Sequence, residues 1–301
     1  MTRCLFVTDL HGKRGRYQAL FGAIAGARPE LVLLGGDLMP SGLGAMMGAC
    51  ESDFVRDFLA PGFARVRAEL KAAAPRVLLI LGNDDGRVEE EAIREAEDAG
   101  IWEYVHGRVA RVGPWRVCGY SYVPPTPFRL KDWERYDVSR YVDPGCTSPE
   151  EGWRTAPLPE HEIRYGTIRE DLERLAGEVG DPSRAVFLFH APPYDTGLDR
   201  AALDGQQIEH VPLDLHVGSI AIRRFIEERQ PHLTLHGHVH ESARLTGQWR
   251  ERIGRTCALS AAHDGPELAA VWLTLESPAD AVRELIPAPP DAPAAEAGPR
   301  R

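Results

Sequence analysis

A chain of 301 residues, 43% hydrophobic and 27% charged, has the make-up of an ordinary globular protein in one large domain or two small ones. Its formal charge of −10 argues against a general binder of nucleic acid or of anionic membrane surfaces, and no stretch reaches the ~20 apolar residues of a membrane helix. Five cysteines without CxxC pairing read as reduced thiols of a cytoplasmic protein, and the first apolar run, Cys4 to Val7, is too short for a signal peptide.

Cys4 to Val7 is a short buried strand that ends in Thr8-Asp-Leu-His-Gly12. Tyr17, Leu20, Phe21 and Ile24 then fall at helical spacing, and Gly26 and Pro29 stop that helix. Leu31 to Leu34 is a second buried strand, followed by Gly35-Gly-Asp37 and by a Gly/Met-rich stretch, Ser41 to Cys50, that reads as a mobile loop. Apolar helix faces run from Phe54 to Leu70, with a break expected at Pro61-Gly62. Val77 to Leu81 is a third strand, followed by Gly82-Asn-Asp-Asp-Gly86 and a surface helix from Glu89 to Ala99 closed by Gly100.

Strands are expected over Tyr104 to Val112 and Trp115 to Tyr120. The aromatic-rich segment 121–159 has no sustained period, and a loop of that length reads as a cap over a site. A helix carries Ile168, Leu172, Leu175 and Val179, and Ala185 to Phe189 is a fourth buried strand ending in His190-Ala-Pro-Pro193. Ser219 caps a helix that Pro231 ends, and Leu233 to Leu235 delivers His236-Gly-His-Val-His240. Ala243 to Leu245 and Leu268 to Leu275 look like a closing antiparallel set, and the Pro/Ala-rich tail 277–301 reads as disordered.

Five apolar runs thus end in Asp9-x-His11, Gly36-Asp37, Gly82-Asn83, His190 and Gly237-His238-x-His240. Strands separated by helices imply a largely parallel core, and parallel strands present their carboxyl ends at one edge, so these side chains should converge. Imidazoles, carboxylates and an amide without a thiolate suit Mn, Fe, Zn or Ni better than Ca or Mg. Seven ligands are too many for one ion but suffice for two if Asp37 bridges, and paired ions ~3.5–4 Å apart serve in-line displacement at phosphorus.

These ordered motifs resemble those of the calcineurin-like metallophosphoesterase superfamily, from Arg3 to about Leu275. The chain looks most like the bacterial and archaeal branch with a His-Ala-Pro-Pro turn and a GHxHE ending, here Glu241. The resemblance implies an α/β sandwich of two mixed sheets flanked by helices, as a single domain over 1–276 with 121–159 inserted as a cap. It implies two divalent ions (Mn2+, Fe2+ or Fe3+, Zn2+ or Ni2+), one held by Asp9, His11, Asp37 and His240, the other by Asp37, Asn83, His190 and His238. A hydroxide between them would attack a phosphodiester or phosphomonoester, small or nucleotide-like, opposite the leaving alcohol.

One position departs from the pattern. Where the superfamily often has GNH, this chain has Gly82-Asn83-Asp84, so Asp84 joins Asp37 and Asn83 as a candidate catalytic residue in place of a histidine that helps the leaving group. An aspartate beside two dications stays ionised and is a poor general acid. His106 and His263 are candidates for that role. Arg14 and Arg16 are candidates to reach a substrate phosphate, and Arg129, Lys131, Arg135, Trp133 and Tyr136 to hold a phosphate and stack a base or sugar. The expected partner is a small phosphate ester, with no membrane and no nucleic acid. The alternative is a metal-binding scaffold with little catalysis, for which Asp84 is the only support.

Overall fold

The computed structural model describes residues 1–41 and 53–291. The strands β1 (Arg3–Val7), β2 (Leu31–Gly35), β3 (Arg76–Ile80), β7 (Ala185–Phe189) and β10 (Leu233–His236) are apolar on both faces because both faces are covered. Successive residues serve different layers: Phe6 joins Leu33, Leu78, Val186, Leu188 and Leu235 in one apolar cluster, whereas Leu5 and Val7 join the cluster that contains the helix residues Tyr17, Leu20 and Ile24. Each such side chain, fully removed from water, contributes roughly 1.5–3 kcal/mol.

These strands belong to two six-stranded sheets. In the first, β1, β2, β3 and the short β4 (Glu103–Tyr104) run parallel, and β13 (Leu268–Thr274) and β14 (Val282–Ile286) extend it antiparallel beside β1. In the second, β12 (Thr256–Ser260), β10, β7 and β6 (Trp115–Tyr120) are parallel, with β11 (Arg250–Ile253) and β5 (Val109–Val112) antiparallel at its edges. A small exposed hairpin, β8 (Gln207–Ile208) with β9 (Val211–Pro212), stands apart from both. The architecture is therefore the α/β sandwich of two mixed sheets, and one parallel core has become two.

The helix α1 (Arg14–Ala27) packs against α2 (Ala60–Leu70). The break expected at Pro61-Gly62 does not occur. Pro61 is the second residue of α2, and a Cβ on Gly62 would collide with the Phe21 ring. A π-helical turn, Val55–Leu59, runs straight into α2. Further on come α3 (Glu90–Asp98), α4 (Glu160–Tyr165), α5 (Ile168–Val179) and α6 (Ile220–Arg229), the last capped by Ser219 Oγ, which accepts from Ile222 N–H at 3.0 Å.

Other expectations are corrected. The run Tyr104 to Val112 is split between the sheets, one end in β4 and the other in β5. Ala243 to Leu245 lies in a helix, α7 (Ser242–Thr246), because the chain turns immediately after His240. The tail expected from 277 is ordered through Ile286, since β14 pairs with β13 along its length. The loop expected over Ser41 to Cys50 lies, after Ser41, outside the described residues, as does the tail from 292. Among the described residues no helix is long and apolar enough to cross a membrane.

Segment 121–159 is held by bridges between Val123 and Glu134 and between Leu130 and Trp153. Its Trp133 is fully buried, and Asp137 accepts from Ser219 Oγ at 2.6 Å and from Ile220 N–H at 2.7 Å, which fastens the segment to the start of α6.

Candidate metal centre

Each loop that leaves β1, β2 and β10 turns sharply at the point where it presents a polar side chain. Asp9, His11, Asp37 and His238 all have positive φ, between 49° and 73°. A left-handed backbone costs a residue with a Cβ ~1–2 kcal/mol, so the surrounding structure must hold these conformations in place. The loops also approach closely: a Cβ on Gly82 would strike the Asp37 carboxylate, and one on Gly237 would strike Thr8 Oγ1.

One ligand atom from each of Asp9, His11, Asp37 and His240 lies within 4.8 Å of the others. His11 Nε2 is 3.1 Å from His240 Nε2 and 3.9 Å from Asp37 Oδ2, and His240 Nε2 is 3.3 Å from Asp9 Oδ1. On the other side of Asp37, His190 Nε2 is 3.3 Å from the same Oδ2 and 3.1 Å from Asn83 Oδ1. The His238 ring centroid lies 5.3 Å from that of His190, and its backbone N–H donates to Asp9 Oδ1 at 3.1 Å. His190 Nδ1 faces the Gly35 carbonyl at 2.8 Å, which fixes the ring and leaves Nε2 for the cluster.

The electrostatics describe a cluster short of positive charge. Burial opposes the imidazolium of His11, but the Asp84 contact and the charges of Asp37 and Asp9 outweigh it and hold its pKa up at about 9. His190 likewise, against its own burial, is held up at about 9 by Asp37 and Asp9. Burial also opposes the charged forms of Asp9 and Asp37; Asp9 is nonetheless held below the ordinary carboxylate range, chiefly by His240, and Asp37 chiefly by His190 and His11. His238 is pushed down to about 3 by burial and by the charge of His190. Buried carboxylates that draw protons onto adjacent imidazoles form a donor set that fits divalent cations, with nitrogen and oxygen donors and no thiolate.

Other residues have structural places. Arg16 does not face the cluster: it is 4% exposed, donating through Nη1 to the Asp9 carbonyl and through Nη2 to the Gly265 carbonyl, both at 2.5 Å. It braces the loop that carries Asp9 and His11. Arg14 stacks over the Phe58 ring at 4.8 Å. In the insert, Lys131 pairs with Glu134 and Arg135 with Asp171, and these partners occupy the charges that were candidates for substrate. Tyr136 donates to Glu150 at 2.7 Å, whereas Arg129 stacks over the exposed Trp153 at 5.2 Å. His106 accepts from Ser121 N–H at 3.0 Å among Tyr120, Tyr122 and Trp133, and burial lowers its pKa well below the usual value. His263 is paired with Glu267 at 3.0 Å.

Asp85, the acid that follows Asp84 in the motif, is a site residue to which the sequence gives no role. Fully buried, it accepts N–H bonds from Leu38 (2.9 Å), Met39 (2.8 Å) and Gly82 (2.9 Å) and so ties the loop bearing Asp37 to the loop bearing Asn83. A second acid two residues after Asn83, in a glycine-bounded turn, was the available signal.

The calcineurin-like phosphoesterase family matches residues 2–242. No curated protein matches the sequence. Among solved structures, TT1561 of Thermus thermophilus is 15% identical with a TM-score of 0.54, covering 94% of this chain and 98% of that one. A dimetal phosphatase from Danio rerio is 14% identical with a TM-score of 0.51, covering 90% and 92%. At these identities the likeness is one of fold.

Proposed function

The chain belongs to the calcineurin-like phosphoesterase family, and from that premise we propose that it hydrolyses a small or nucleotide-like phosphodiester at a dinuclear metal centre in a reducing compartment such as the cytoplasm. The observation that carries the reading is the position of one atom: Asp37 Oδ2 stands between His190 Nε2 at 3.3 Å and His11 Nε2 at 3.9 Å. Asp9, His11 and His240 would hold one ion with Asp37, and Asn83, His190 and His238 the other. Bound there, paired divalent ions would supply a nucleophilic hydroxide near neutral pH and stabilise charge on the phosphoryl oxygens.

The protein's own part is to hold these donors in strained, pre-set loops and to set the charge of the site. Asp84, one third exposed, adds a carboxylate beside His11. That charge disfavours a dianionic monoester more than a monoanionic diester. Asp84 also leaves the leaving group without a side-chain acid, which favours esters whose alcohol departs readily. The test is hydrolysis of a chromogenic diester and its monoester by metal-stripped protein given Mn2+. Metal-dependent turnover, faster on the diester, is expected. Bound metal with no turnover of either ester, or of a broad panel of phosphate esters, would favour the second reading, a metal-binding scaffold, whose support is Asp84 in the place of a histidine.

A further inference from the structure

Two of the cluster's imidazoles are oriented from behind by different kinds of acceptor. His190 Nδ1 meets a neutral group, the Gly35 carbonyl, at 2.8 Å. His11 Nδ1 meets a carboxylate, Asp84 Oδ2, at 3.3 Å, slightly longer than the usual N–H···O distance. The other edge of the His11 ring carries Nε2 into the cluster, 3.1 Å from His240 Nε2. Asp84 is itself fixed, because Ser41 Oγ donates to its Oδ1 at 2.6 Å and its backbone N–H donates to Asp37 Oδ1 at 2.8 Å. Three strand ends therefore meet at this one residue, those of β1, β2 and β3.

We propose that Asp84 is a positioning residue for His11: it takes the Nδ1 hydrogen bond, aims Nε2 into the cluster, and makes the two ion sites unequal, so that the site of Asp9, His11, Asp37 and His240 fills first. The inference rests on the reading of the cluster as a dinuclear centre. Its physical basis is that an imidazole hydrogen-bonded to a carboxylate is a more basic ligand than one bonded to an amide carbonyl. The carboxylate also adds a third negative charge on that side, beside Asp9 and Asp37. The neighbouring site has Asn83, His190 and His238 around the shared Asp37.

The test is titration of the metal-free full-length protein with Mn2+, counting bound ions by loss of the free-ion resonance. Wild type is expected to bind two ions in resolved steps. Asp84→Ala should weaken one of the two by roughly 10–100-fold and leave the other unchanged, and Asp84→Asn, which keeps an acceptor without the charge, should fall between. Neither change removes the backbone bond to Asp37. In the Zn2+-loaded protein with 15N-labelled histidine, the Nδ1 proton of His11 should lose its protection from exchange in Asp84→Ala, while that of His190 persists. Unchanged binding in Asp84→Ala, or both steps weakened alike with the His11 signal unmoved, overturns the inference alone. Absence of Mn2+ binding by the wild type overturns it together with the proposed function.

Discussion

Asp37 is 2% exposed and faces two imidazoles, so its charge is neutralised by protons when no cation is present. This gives the metal-free protein a defined pH dependence. His11 and His190 are held at about 9 in the fold, above their ordinary 6.5. Their protonation therefore stabilises the metal-free fold fully below about pH 6.5, and the contribution is lost as pH rises through about 9. Thermal melts of chelator-treated protein should show stability falling across that window. A cation displaces those protons, so metal affinity should climb over the same window, and calorimetry in two buffers of different ionisation enthalpy should show proton release at about pH 7. Asp85 makes a separate prediction. Asp85→Ala strands three buried N–H groups, at ~1–3 kcal/mol each before relaxation, and should cost at least about 3 kcal/mol in denaturant unfolding.

At the scale of elements, the insert is held together from within by a buried ion pair. Lys131 and Glu134 are both fully buried, and Lys131 Nζ also donates to the Thr126 carbonyl at 2.9 Å. Removing one partner of such a pair leaves an uncompensated charge, so Lys131→Met should cost ~3–5 kcal/mol, and Lys131→Met with Glu134→Leu should recover most of it. Melting both proteins beside the wild type checks this; equal melting temperatures for single and double variants would refute the pairing. Sequence offers such residues as substrate contacts because it shows a charge without its partner. Strands are legible where both faces are buried, as in Ala185–Phe189, and hidden where they lie at a sheet edge. β11 reads Arg-Glu-Arg-Ile and β14 reads Val-Arg-Glu-Leu-Ile, and the charges that protect an edge from mispairing also hide it.

Over the whole molecule, two sheets place five loops around one cluster. A run of apolar residues announces burial but not which sheet it joins, so the division of Tyr104 to Val112 between β4 and β5 could not be read in advance. The convergence could be read, because parallel strands share a carboxyl edge whichever sheet they belong to. The roles of Arg14 and Arg16 could not, since stacking on Phe58 and burial against Gly265 are set by residues far along the chain. The central claim is that seven side chains from those loops hold two ions joined through Asp37. Metal content per chain after equilibrium dialysis against Mn2+ and elemental analysis, for wild type and Asp37→Asn, tests it most directly. Two ions in the wild type and at most one in a still-folded Asp37→Asn are predicted. Two in both, or only one in the wild type, would contradict it.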